Sequence, residues 1–263
     1  EGEYLWSGRF QCPFDISGGI MEIKDNQMLL YLHYTDSLVY TLGGISTTVT
    51  VNPGNHVCVL RLDLDGNVTF FKDIHDGSGF YFSYLKSNDA GFVIGGGSFT
   101  DSIALHTASG QLKAISQGQD DAYIALFTPD FNAIGLQILG GKGSDYVENL
   151  YVANDRIYFA IVYDDSLTID HGQQSETFPS NGEENGLFGY VTISNNDIVA
   201  YSFGGDLGDE LRSVAADNSG NIYVCGSFEG TVNFEHPDAP PVVFTAVNES
   251  DGFVSKYTPD GRL

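Results

Sequence analysis

Glu22, Tyr84, Tyr151 and Arg212 fall in four successive copies of one repeat, each near the start of its copy. A carboxylate, two phenols and a guanidinium gathered at one place would make a polar binding site, or a hydrogen-bonded plug holding a Glu-to-Arg ion pair. A second set is acidic. Asp36, Asp101 and Asp165 each stand two residues after an aromatic and directly before Ser and an aliphatic residue. Further acids, among them Asp120, Asp121, Asp145 and Asp209, are expected to collect at the same long-loop end of the fold. A face carrying this many carboxylates has a negative potential that a cation relieves, and calcium, which takes about six to eight oxygens, is the natural candidate. No segment has the roughly 12-residue spacing of a dedicated calcium loop, so no cofactor is required and Ca2+ stays open. Asp63-Leu64-Asp65-Gly66 is a fragment of such a loop and reads as a plain turn.

Other chemistries lack their residues. There is no Gly-x-Ser-x-Gly, no phosphate-cradling Gly-Lys-Ser/Thr and no Cys-x-x-Cys. The six histidines show no His-x-x-x-His pair and read as surface residues. Cys12, Cys58 and Cys225, an odd number without paired spacing, read as small hydrophobes, with a Cys12 to Cys58 bridge as the alternative. Glycoside cleavage needs two carboxylates about 5 to 9.5 Å apart, one with a raised pKa. Glu22 is the first-strand carboxylate expected to face the axis for that role, with Glu148 on the neighbouring face.

The elements that position these residues repeat. Tyr34-Thr35-Asp36-Ser37-Leu38, Phe99-Thr100-Asp101-Ser102-Ile103, Tyr163-Asp164-Asp165-Ser166-Leu167 and Phe228-Glu229-Gly230-Thr231-Val232 are four copies of one pattern, and their aromatics step by 65, 64 and 65 residues. A period this regular is the signature of a repeat architecture. Within each copy, period-two alternation broken by Asn, Asp, Gly and Pro clusters predicts short strands joined by tight turns. In the last copy the strands are expected at Leu211 to Asp217, Ile222 to Phe228 and Gly252 to Tyr257. Fourth strands are expected at Val68 to Phe71, Ile134 to Ile138 and Ile198 to Phe203.

The expected fold is therefore all-β: a single β-propeller of four blades, each of four antiparallel strands, spanning residues 1–263 as repeats 8–71, 72–138, 139–203 and 204–263 plus 1–7. Tyr4-Leu5-Trp6-Ser7 is expected to pair in the C-terminal blade and close the ring, which removes exposed edges. Tyr40 to His56, His106 to Asp120, Asp170 to Asn185 and Glu235 to Ser250 read as long loops, and any binding surface is expected among them. Strict alternation aligns the first strands with Met21, Ser83, Leu150 and Ser213 in one packing column and Ile23, Leu85, Val152 and Ala215 in another. It turns Glu22, Tyr84, Tyr151 and Arg212 toward a common axis.

Gly204-Gly205-Asp206, Ser213 to Phe228, Gly230 to Phe234 and Asp251 to Tyr257 together resemble the bacterial β-propeller repeat often called SBBP, with a strand order similar to that of NHL propellers. The third copy keeps Gly140-Gly141, and the first matches poorly. The resemblance implies a secreted or surface-attached protein on the outside of a Gram-negative bacterium, a setting compatible with a lipid anchor upstream of Glu1. It implies no catalytic residue.

Composition bounds the partners. With 35 acidic against 11 basic residues the net charge is −24, which repels nucleic acid and anionic lipid. Only 17% of residues are charged and 42% are hydrophobic, so the chain packs a core under an acidic skin. No apolar run approaches the roughly 18 residues of a membrane helix. The expected function is a non-catalytic module that binds a protein or glycan through its acidic loop face. The alternative is a carbohydrate-active enzyme, hydrolase or lyase, with carboxylates at the axis.

Overall fold

The alternating pattern becomes sixteen β-strands in the computed structural model, which describes residues 5–43, 45–76, 79–170, 175–234 and 242–262. β1 (Gly8–Gln11) precedes the first repeat, which holds β2 (Ser17–Lys24), β3 (Gln27–Leu42), β4 (Ile45–Asp63) and β5 (Val68–Asp76). The second holds β6 (Phe80–Ser87), β7 (Val93–His106), β8 (Gln111–Phe127) and β9 (Ala133–Gly141). The third holds β10 (Asp145–Ala153), β11 (Arg156–Asp170), β12 (Ser175–Thr192) and β13 (Ile198–Gly205). The fourth holds β14 (Asp209–Ala216), β15 (Ile222–Phe234) and β16 (Val242–Tyr257). Within each repeat, consecutive strands pair, and the strands form one antiparallel sheet. No helix among the described residues is long and apolar enough to cross a membrane.

The chain divides into two compact units. One comprises Glu1–Gly95, Ile103–Ala114 and Ala125–Gly135; the other comprises Gly96–Ser102, Ile115–Ile124 and Leu136–Leu263. The first has a core of Leu32, Tyr34, Leu38, Tyr40, Cys58, Leu60 and Leu62 among others, with Trp6 and Phe10 packed against it. The core of the second includes Tyr158, Phe188, Phe203, Leu211, Val214, Val224 and Phe234. Fully burying one such side chain is worth about 1.5–3 kcal/mol, so these clusters dominate each unit's stability.

The recurring pattern is a β-bulge. Asp36, Asp101, Asp165 and Gly230 have φ of 62°, 58°, 55° and 58°, a left-handed conformation that Asp and Gly adopt more readily than other residues. The ladders skip there, between Thr35 and Ser37, Asp164 and Ser166, and Glu229 and Thr231, opposite four-residue insertions at 51–54, 180–183 and 246–249. A bulge re-aims a strand without ending it. The preceding aromatics Tyr34, Phe99, Tyr163 and Phe228 and the following Leu38, Ile103, Leu167 and Val232 are all buried.

The expected long loops are thus mostly strand among the described residues, with 171–174 and 235–241 lying outside them. β3 and β4 run on from Ser37↔Thr50 to Leu42↔Ile45, and β11 and β12 from Ser166↔Pro179 to Asp170↔Ser175. The far half of each second strand also takes the tail of an earlier strand: Gly8↔Leu42, His75↔Leu105, Gly141↔Leu167 and Gly205↔Val232. Paired on both sides, these segments satisfy their backbone groups as strands and have no need of loop conformations.

Two further expectations change. The N-terminal strand pairs with β3, while Leu5, Trp6 and Ser7 lie in no ladder and Tyr4 falls outside the described residues; closure by this segment is not what the structure shows. Trp6 instead donates from Nε1 to the Leu64 carbonyl at 2.8 Å. The first-strand columns also shift. Leu150 and Val214, both buried, each pair with the residue four before the repeat aromatic, so Leu150 aligns with Val214 and not with Ser213, and bulges between Val147 and Asn149 and between Leu211 and Ser213 break the alternation within β10 and β14. Strict alternation cannot anticipate an inserted residue.

Candidate functional site

The first unit carries a cleft of about 400 Å3 lined by Phe14, Asp15, Ser17, His33, Tyr34, Thr35, Asn55, Gly79 and Tyr81. Five segments build it: the stretch before β2, the first residue of β2, then β3, β4 and the start of β6. Strand geometry explains the floor. Tyr34, the repeat aromatic, is buried, and its ring stacks on His56 at 5.4 Å. His56 pairs through Nδ1 with Asp73 at 2.8 Å. His75, also buried, meets the Ala104 carbonyl through Nδ1 at 3.2 Å and packs on Phe80 at 4.8 Å. His56 and His75 are therefore interior residues, contrary to the surface reading of the histidines, because each lies at an inward position of a paired strand.

The walls are aromatic and exposed. Phe14 and Tyr81 are 73% and 54% accessible, and the His33 ring lies 5.3 Å from that of Tyr81. Burial, with His75 nearby, pushes His33 down to about 4, so its ring is neutral at physiological pH. The Cys12 thiol donates to the Asp15 carbonyl at 3.0 Å and ties down the segment that presents Phe14. Thr35 and Asn55 hydrogen-bond across the β3–β4 bulge at 3.4 Å. The result is a pocket of apolar ring faces interleaved with hydroxyl, amide and carboxylate groups.

The residues expected to bind make the following contacts. Glu22 accepts the Ser87 amide at 2.7 Å in the first unit, where Lys86 lies 5.5 Å from the ring centre of Tyr84. In the second unit Tyr151 lies 6.3 Å from Tyr158, and Arg212 bonds Glu210 and Glu148, the latter at 3.4 Å. Arg212 and Glu148 both occupy the inserted bulge positions. The expected ion pair of Arg212 thus goes to glutamates other than Glu22. Asp36 and Asp165 are bulge residues, Asp101 shares their left-handed backbone, and Asp36 spends an oxygen on the Gly54 amide at 2.9 Å. Asp63 likewise accepts the Asp65 and Asn67 amides at 3.0 and 2.8 Å, which makes its segment a turn.

The second unit buries carboxylates. Asp121, Asp145 and Asp209 are fully buried. Asp145 and Asp209 accept the amides of Gly141 and Gly205, each four residues earlier, at 2.8 and 2.5 Å. Burial raises Asp145 to about 8, with Asp121, Asp164 and Asp120 adding to the effect, and raises Asp209 to about 6. Glu184 is raised as well, by burial first and then by Glu210 and Asp164. Among the described residues no three His, Cys, Asp or Glu side chains converge with metal-ligating geometry. The three cysteines are unbridged, and Cys58 is fully buried, which raises its thiol pKa.

Phe14, His33, Asn55 and Tyr81 were not legible as a set. They come from the β1–β2 connection and from three separate strands, and no spacing within one segment announces their meeting. The chain matches no family model, and no curated protein is significantly similar to it.

Proposed function

We propose that the chain is a non-catalytic binding module of a secreted or surface-attached bacterial protein, that its four-strand repeats are the blades of a β-propeller, and that the first-unit cleft holds a glycan. One observation carries the ligand reading: the exposed rings of Phe14 and Tyr81 line a cleft of about 400 Å3 whose other lining residues, Gly79 apart, carry hydrogen-bonding side chains. The C–H face of a pyranose packs on an aromatic ring, while its hydroxyls need donors and acceptors such as Asp15, Ser17, Thr35 and Asn55. A neutral His33 favours an uncharged sugar over an anionic one. The blade reading is supported by the four-stranded meanders and, within the second unit, by the first strand of the fourth repeat placing Leu211 and Val214 in one core with Tyr158 and Phe188 of the third. The outer-surface setting is supported by the acidic charge and by the resemblance to SBBP repeats.

The carbohydrate-active enzyme is the second reading, and Glu184 favours it, as a carboxyl with a raised pKa close to Glu210 and Glu148. Titrating the chain with neutral oligosaccharides and following their integrity separates the two: binding without cleavage supports the module, and turnover lost in Glu184→Gln supports the enzyme.

A further inference from the structure

We infer that the outer edge of β16 is a docking site for an extended strand supplied in trans by a partner, which adds to the sheet as the fourth strand does in the other repeats. The third strands β4, β8 and β12 each carry a fourth strand on their outer side: β5, β9 and β13. β16 pairs only with β15 among the described residues. The ladder registers identify equivalent residues. Val59, Phe188 and Val254 each pair with the residue three before the repeat aromatic: Tyr31, Ala160 and Cys225. Val59 and Phe188 are 0% and 1% exposed, whereas Val254 is 77% exposed. An edge that shows an apolar side chain and that no neighbouring strand covers among the described residues is a template for β-augmentation.

The chain itself shows what fits. Lys72 pairs with Val59 and Tyr201 with Phe188, so the occupant places a long-stemmed side chain opposite Val254. β13, which fills the equivalent edge of β12, reads Ile-Val-Ala-Tyr-Ser-Phe-Gly-Gly and has no charged residue. A net charge of −24 sets two copies of the chain against each other and favours a neutral or basic strand. The partner segment is therefore extended, alternately apolar and not acidic.

The test is hydrogen exchange of the full chain with a synthetic peptide of the Ile198–Gly205 sequence carrying two added lysines. A scrambled peptide of the same composition is the control. The expected result is at least five-fold slower exchange of β16 amides with the ordered peptide only, and loss of that protection in Val254→Glu, whose site is exposed and leaves folding intact. Equal effects of the two peptides, or no β16 protection by either, overturn the inference. Concentration-dependent dimerisation that protects β16 without peptide overturns it in favour of a second copy.

Discussion

Asp145 accepts the backbone amide of Gly141 at 2.8 Å from a fully buried position, and the same bond recurs from Asp209 to Gly205. The carboxyls are raised to about 8 and about 6, above the roughly 3.9 of an unfolded Asp. The folded chain therefore binds these protons more tightly than the unfolded one. Their stabilisation is complete below about pH 4 and is lost as pH rises through 6 for Asp209 and 8 for Asp145, at a slope of about 1.4 kcal/mol per pH unit per group. Asp145→Asn keeps an acceptor for Gly141 and removes the ionisation. Thermal melting should show the wild type losing stability between pH 5 and 8 and the variant losing less.

His33 works in the opposite direction. Its folded pKa of about 4 lies below the roughly 6.5 of an unfolded His, so its contribution is present above pH 6.5 and lost as pH falls toward 4. His33→Gln should flatten that acid limb when its melting curve is compared with wild type at pH 4.5 and 7.

The bulge residues should tolerate Gly and reject β-branched side chains. Asp101 is exposed and holds φ of 58°. Asp101→Val should cost about 1–2 kcal/mol in denaturant unfolding, the penalty of an L-residue in the left-handed region, while Asp101→Gly should stay close to wild type.

Arg212 offsets the charge of Glu148 and Glu210 at a partly exposed site. Arg212→Met should destabilise by no more than about 1 kcal/mol, and added salt should shrink the difference. A salt-independent loss would show that packing of the side chain matters more than its charge.

Much of the scaffold was readable before any coordinates. Ile222 to Phe228 and Gly252 to Tyr257 lie within β15 and β16, and the Asp217 to Asn221 turn forms with Asp217 accepting the Ser219 and Asn221 amides. Alternation and turn residues are local signals and survive folding. What failed was non-local. Tyr40 to His56 looked like loop because its residues alternate weakly, yet pairing with β1 on one side and within the β3–β4 hairpin on the other makes it strand. Asp36 was read by its charge, whereas its backbone angle is what the fold uses. The Glu148 and Arg212 insertions interrupt the two-residue alternation within β10 and β14. The cleft of Phe14, His33, Asn55 and Tyr81 depends on four segments meeting, which no single stretch of sequence encodes.

The central claim is a glycan seated between Phe14 and Tyr81, and calorimetric titration with a panel of neutral hexose and N-acetylhexosamine oligosaccharides tests it most directly. The account predicts saturable binding by the wild type, weakened at least ten-fold in Tyr81→Ala with an unchanged melting temperature. Tyr146→Ala, at the matching position of the third repeat, should leave binding unaffected. No binding across the panel, or wild-type affinity in Tyr81→Ala, would contradict it.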